Sequence, residues 1–412
     1  MIAPFGIKEL VQPWRRLLGE PEMGILMLSN MVLGLAYSFV VPFYSMWGTI
    51  EVGMSTAGFG IFMTITSIAG IVISTALARW SDTHVSRRSI LLLGCIMGCL
   101  GYLGYGYIRN VVMLTIIGSV ALGISSVTFT QLFAYERETL PRYGIPQNEA
   151  PLYMNIFRLL FSLSWTIGPA LSAWVMIRYS YPGIFLVCAL FFLVLFGIVW
   201  FCIPARPPPA AGPAGRIPLG RVLRRPDLLC YFAAIALVFL CTTMGMMNLP
   251  LMILRELHGT EAQIGIAYSV APVFELPFMF YFGVLASRGN PGRLIRWGVI
   301  IAIAYYALLS QVGAPWHIYP LQILSAAMIA VVSGIAITFF QSYIPDQPGT
   351  ATNLYQTANR IGSTVGYLSF GWLADTFGFR AVFLICTVLC AAAFLLLWLA
   401  REKHEHAEAV AT

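Results

Sequence analysis

Charge is what this chain has least of. Asp, Glu, Lys and Arg make up 10% of its 412 residues, against 59% hydrophobic, where a water-soluble domain carries about 25% charged residues. That is too little polar surface to coat a soluble globule. The eight cysteines, at 95, 99, 188, 202, 230, 241, 386 and 390, form no Cys-x-x-Cys pair and sit inside or at the edge of apolar runs. They read as small hydrophobes that imply neither disulfides nor a metal site. A Gly-x-x-x-x-Gly-Lys phosphate loop is missing too, which argues against direct use of ATP. The apolar runs hold no catalytic His–carboxylate cluster and no metal-ligand spacing, so no enzyme activity and no cofactor are expected. The segment Lys403-His404-Glu405-His406 reads as a solvated tail. A cleavable leader is not expected either. Basic residues from Lys8 to Arg16 precede the first apolar run, and no small-residue cleavage site follows it. Long soluble extensions, which a membrane sensor would carry, are also lacking.

What the chain does have is apolar runs of membrane-crossing length, which takes about 20 residues per helix. Twelve are predicted, near 24–48, 55–80, 90–108, 112–135, 151–177, 182–203, 228–252, 262–286, 294–311, 316–343, 350–375 and 380–400. The net charge of +7 would suit a nucleic-acid partner, but its placement points elsewhere. With both termini cytoplasmic, eighteen Lys and Arg residues fall on inside loops and tails. Four, Arg109, Arg178, Arg255 and Arg380, fall outside, and the remaining two of the 24 lie within spans. This is the positive-inside bias, and no nucleic-acid partner is expected.

The chain also repeats itself. Residues 152–190 align without a gap on 350–388 at an offset of 198. Asn155 falls on Asn353, Thr166 on Thr364, Gly168 on Gly366, Trp174 on Trp372, and Phe185-Leu186-x-Cys188 on Phe383-Leu384-x-Cys386. Upstream, Thr128-Phe129-Thr130-Gln131 matches Thr338-Phe339-Phe340-Gln341. Paired halves in a membrane chain are a mark of alternating access. Between them, Ile203-Pro204-Ala205-Arg206-Pro207-Pro208-Pro209 opens a Pro-rich stretch that suits a linker. The predicted organisation is a cytoplasmic segment 1–23, a six-helix bundle 24–203, a linker 204–227, a second six-helix bundle 228–400 and a tail 401–412.

Two cytoplasmic loops carry related sequences, Arg79-Trp80-Ser81-Asp82-Thr83-His84-Val85-Ser86-Arg87-Arg88 and Gly283-Val284-Leu285-Ala286-Ser287-Arg288-Gly289-Asn290-Pro291-Gly292-Arg293. They resemble the loop signature of the major facilitator superfamily. The block Arg158-(x)3-Ser162-Leu163-Ser164-Trp165-Thr166-Ile167-Gly168-Pro169 is similar to the bacterial sugar efflux transporters, a branch of that superfamily. So are Gln131-Leu132-Phe133-Ala134, Leu249-Pro250, Glu275-x-Pro277 and Phe340-Gln341. Asn248 stands where an Asp is expected before the Leu-Pro step, and Arg360 where a small polar residue is expected. The resemblance implies an all-α membrane protein with the major facilitator fold: twelve transmembrane helices in two pseudo-symmetric six-helix bundles. It also implies a monomer of the bacterial inner membrane that exports a sugar or glycoside against protons. A multidrug or amphipath exporter is the alternative, and a non-transporting membrane sensor a more distant one.

Ionisable side chains inside a bilayer cost a few kcal/mol and mark function by default. Arg158 in span five and Glu275 in span eight qualify. The resemblance makes these spans neighbours, so the two residues are expected to pair, either as a proton-coupled gate or as a static ion pair. Arg360 in span eleven has Ser162 as its repeat mate, so its charge is not part of the shared scaffold. Asp82 is expected to latch helix ends, as in the family's loop. Glu136-Arg137-Glu138 at the end of span four reads either as a solvated helix end or as a gate network. The resemblance has spans one, four, seven and ten lining a central cavity. There Asn30, Gln131, Asn248 and Gln341 would meet sugar hydroxyls, with Tyr37, Trp165 and Tyr355 beside its apolar faces. Helix gluing and packing are the competing roles for these groups.

Overall fold

Every regular element among the described residues is helical in the computed structural model, which describes residues 15–17, 19–81, 84–146, 149–206, 226–288, 290–343 and 348–411. We number the long helices in chain order. Four lie in the first half before a bent run: α1 (Pro21–Glu51), α2 (Thr56–Ser81), α3 (Arg87–Tyr107) and α4 (Val111–Tyr143). The run Ala150–Cys202 is broken at Ser180, whose φ is 56°, into α5 (150–179) and α6 (181–202). The second half holds α7 (Pro226–Glu256), α8 (Glu261–Arg288), α9 (Pro291–Leu309), α10 (Pro315–Gln341), α11 (Pro348–Phe377) and α12 (Phe379–Ala411). Among the described residues ten stretches are long and apolar enough to cross a membrane, one of them the α5–α6 run. The polar α11 completes the twelve.

The helix starts follow from local sequence. Ser86 caps α3 by accepting from the amide of Ser89, and Asn110 caps α4 by accepting from Met113. Asn290 accepts from Gly292 and Arg293 just ahead of Pro291 at the start of α9. Each cap satisfies an amide that has no partner within its own helix.

The helices sort into two compact units. One holds α3–α6 with α1 up to Val41 and α2 from Thr66; the other holds α7–α12 with the stretch Pro42–Ile65. The break in α1 comes at a 3-10 turn, Val41–Phe43, where Pro42 interrupts the hydrogen-bond ladder.

The same joints recur in both units. In the first, α5 crosses α1 with almost no space between backbones. A Cβ on Gly168 would lie 1.9 Å from Ser38 Oγ, and Ser164 donates to the carbonyl of Met31 at 2.8 Å. In the second, α11 crosses α7. A Cβ on Gly366, the repeat mate of Gly168, would lie 2.8 Å from the Leu240 carbonyl oxygen. One on Gly362, the mate of Ser164, would lie 2.3 Å from that of Ala236. Cys188 on α6 contacts the carbonyl of Ala36 at 3.3 Å, and its mate Cys386 on α12 contacts that of Cys241 at 3.8 Å. The turn is shared as well: Ser180 and its mate Gly378 both have positive φ.

The outward surface is apolar. Ile61, Ile65, Ile68 and Val72 form an exposed stripe down α2 at helical spacing, and the repeat-mate tryptophans Trp174 and Trp372 are 62% and 60% exposed. Exposed apolar rows of this extent suit contact with lipid, and outward tryptophans suit its interface.

Candidate functional site

The polar side chains of the first unit gather where α1 starts and α4 ends. Three consecutive residues of α4 take three environments, because successive helical side chains point about 100° apart. Glu136 is fully buried, Arg137 is exposed, and Glu138 is partly buried. Glu138 accepts from Arg87 of α3, Nε at 2.7 Å and Nη2 at 2.6 Å. About two turns back on the same face, Gln131 uses Oε1 to accept from Arg87 Nη1 and from Ser81 Oγ, each at 3.0 Å. Glu138 is therefore held by an arginine of a neighbouring helix. A solvated helix end describes Arg137 and not Glu136.

Glu136 Oε1 accepts a hydrogen bond from Asn30 Nδ2 of α1, and Nδ2 also donates to the Leu26 carbonyl at 3.0 Å. A third cluster surrounds Glu22 near the start of α1. Arg206 pairs with Glu22, donates to Thr139 Oγ1, and lies over the ring of Tyr135 at 4.4 Å. The hydroxyl of Tyr135 lies 3.0 Å from Glu22 Oε1, and that of Tyr143 donates to Glu22 Oε2 at 2.8 Å. Arg206 carries the link from the linker back to the bundle, a role that composition did not reveal.

Among the other predicted residues of this unit, Tyr37 is half-buried against the rings of Phe161 and Phe192. Trp165 and Arg158 are half-buried on α5. Asp82 lies outside the described residues.

In the second unit Asn248 is buried and donates to the Phe379 carbonyl at 2.8 Å. Glu256 pairs with Arg380 at 3.1 Å and accepts from the Phe379 amide at 3.2 Å, which ties the end of α7 to the turn before α12. Gln341 donates to Thr352 Oγ1 at 3.0 Å. Tyr355 is buried with its ring edge-on to Phe239. Glu275 on α8 and Arg360 on α11 are half-buried. Asp375 accepts from the amide of Ala57 at 2.8 Å, placing a carboxylate at the start of α2. Just along the pair, a Cβ on Gly371 would lie 2.6 Å from the Thr56 carbonyl oxygen. Among the described residues no group of three metal-ligating side chains occurs.

The model of the Major Facilitator Superfamily matches residues 26–367 and 345–412. The chain belongs to the major facilitator superfamily. Within it, the chain is 30% identical to sugar efflux transporter A of Dickeya chrysanthemi, covering 90% of this chain and 93% of that one. It is also 30% identical to sugar efflux transporter B of Salmonella typhimurium, covering 87% and 90%. Of solved folds, the nucleoside transporter NupG superposes with a TM-score of 0.76 at 12% identity, over 92% of this chain and 99% of that one. That likeness supports the facilitator fold alone. The family makes the chain a multi-pass membrane transporter.

Proposed function

We propose that this facilitator is a secondary active exporter of sugars or glycosides that works by alternating access with proton antiport. One observation carries the reading: two relatives named sugar efflux transporters match it at 30% identity over nearly the whole chain. The shared joints at Gly168 and Gly366 support it physically, since two equivalent halves provide the pair of rigid bodies that alternating access needs.

In this reading Glu275 is the coupling acid and Arg158 its gating partner, with the Arg87–Glu138 pair and Asp82 setting the cytoplasmic latch. The exposed Arg137 would add only to the field at that latch. Substrate contacts would come first from Trp165, Tyr37, Gln341 and Arg360, which are not fully buried. Gln131, Asn30, Asn248 and Tyr355 are buried, with contacts to protein groups in their own unit. Their role would be to place the lining helices. Orientation follows the charge bias: a monomer in the bacterial inner membrane, both termini cytoplasmic. Only the sugar and the proton are expected as small partners.

Counterflow in proteoliposomes tests the substrate class. Vesicles preloaded with lactose, glucose or a thiogalactoside should accumulate the labelled sugar transiently, and Trp165→Ala should reduce this at least tenfold. Exchange of a cationic amphipath with no sugar exchange would transfer the account to multidrug export.

A further inference from the structure

The buried pair between α1 and α4 has a hydrogen-bond count that does not close. Asn30 and Glu136 are both fully buried. Asn30 Nδ2 donates to Glu136 Oε1, yet Asn30 Oδ1 and Glu136 Oε2 are both buried with no donor. Buried polar atoms are rarely left unpaired, because each orphan costs about 1–3 kcal/mol. The two orphaned acceptors are the remaining oxygens of two groups already joined by a hydrogen bond. One hydrogen between them would satisfy both.

Among the described residues no cation does this. On α1, Glu22 is engaged by Arg206, Tyr135 and Tyr143. On α3, Arg87 holds Glu138, and Arg88 donates to the carbonyls of Val199 and Trp200. On α4 itself Arg137 and Arg142 are exposed. Arg16 donates to the carbonyls of Tyr143 and Gly144. On α5, Arg158 is half-buried and makes no hydrogen bond or ion pair with Glu136 among the described residues. An unpaired buried carboxylate would cost several kcal/mol.

We propose that Glu136 is a proton-binding site whose acid form closes an acid–amide pair with Asn30. Nδ2–H donates to Oε1, and the bound proton, taken from water and carried on Oε2, donates to Oδ1. Both orphans are then satisfied, and α1 is fastened to α4 by two hydrogen bonds. Loss of the proton to water leaves a carboxylate with one amide donor. That state is relieved only when the α1–α4 contact loosens and admits water or a cation. Proton occupancy at Glu136 thereby sets how firmly α1 sits on α4. Its use in an export cycle rests on the proposed proton-coupled function; the binding site itself does not.

Infrared spectroscopy of the purified protein in lipid reads the site directly. At neutral pH the wild type should show a protonated-carboxyl stretch that Glu136→Gln loses. Asn30→Ser should keep that stretch and shift its frequency, since it removes the paired amide. Superimposable wild-type and Glu136→Gln spectra in this region would overturn the proposal. Should Glu136→Gln fail to fold, an unshifted band in Asn30→Ser overturns it equally. No sugar is present, so a chain that shows the band but moves no sugar upholds this site and removes the export reading.

Discussion

The two halves share their joints and differ in their charges. At the crossings of α5 on α1 and α11 on α7, both copies bring backbones together at a shared glycine, Gly168 and Gly366. The sulfurs of Cys188 and Cys386 reach helix carbonyls in the same way. The ionisable groups obey no such rule. Arg360 has Ser162 as its mate, and the buried Glu136 and the Arg87–Glu138 pair belong to the first unit alone among the described residues. Positions that hold helices together are constrained by packing in both halves.

That comparison can be broken in order of expected effect. Gly362→Val should be the most damaging change. Its side chain would drive into the Ala236 carbonyl, a backbone atom that cannot rotate aside, and overpacking of this kind costs about 3 kcal/mol. Gly168→Ala should cost less, because its side chain is smaller and Ser38 Oγ can turn away, so that only Ser38 Cβ, 2.8 Å from the new methyl, must shift. Equal losses of melting temperature for the two would deny that backbone contact is the limiting feature.

Arg87→Ala comes next. It removes the partner of Glu138 and a donor to Gln131, and hydrogen bonds to charged groups contribute about 1.5–3 kcal/mol. Glu138 is 35% exposed, so the lower end of that range is expected. By contrast, Arg380→Ala should cost well under about 1 kcal/mol, since Arg380 is 43% exposed where Arg87 is 11%. Thermal unfolding in detergent ranks the two, and a larger loss for Arg380→Ala would reverse the assignment of the buried latch.

Asp375→Ala should cost about 1 kcal/mol by removing the acceptor at the start of α2. The smallest change should be favourable. Ser180→Gly relieves a side chain held at positive φ, a conformation that its mate Gly378 adopts without a Cβ, and should raise stability by up to about 1 kcal/mol. A lowered melting temperature would mean that the hydroxyl has a role which the shared turn does not explain.

Much of the fold was legible in the sequence, for reasons that also mark where legibility ends. Hydropathy finds apolar runs, and 350–375 was among the twelve expected even though Thr357, Asn359, Arg360, Ser363 and Thr364 lie along it; its repeat with α5 supports the same span. The break between α5 and α6 was expected between 177 and 182; that Ser180 carries it at positive φ is hinted at by its alignment with Gly378. The clusters were harder to read. Glu136, Arg137 and Glu138 are adjacent letters of similar character. Which of them faces the bundle depends on the rotation of α4, and hydropathy carries no phase for a segment that is charged all round. Gln131 and Glu138, seven residues apart and so on one helical face, both meet Arg87. That spacing was available in the sequence and went unused.

The central claim, a sugar exporter driven by protons, is tested most directly by flux under an imposed pH gradient in proteoliposomes, comparing wild type with Glu275→Gln. The account predicts uphill sugar movement by the wild type, and only downhill exchange by the variant. Coupled uphill flux persisting in Glu275→Gln would make Glu275 structural and contradict the coupling scheme. A wild type that moves sugar identically with and without the gradient would contradict proton antiport itself.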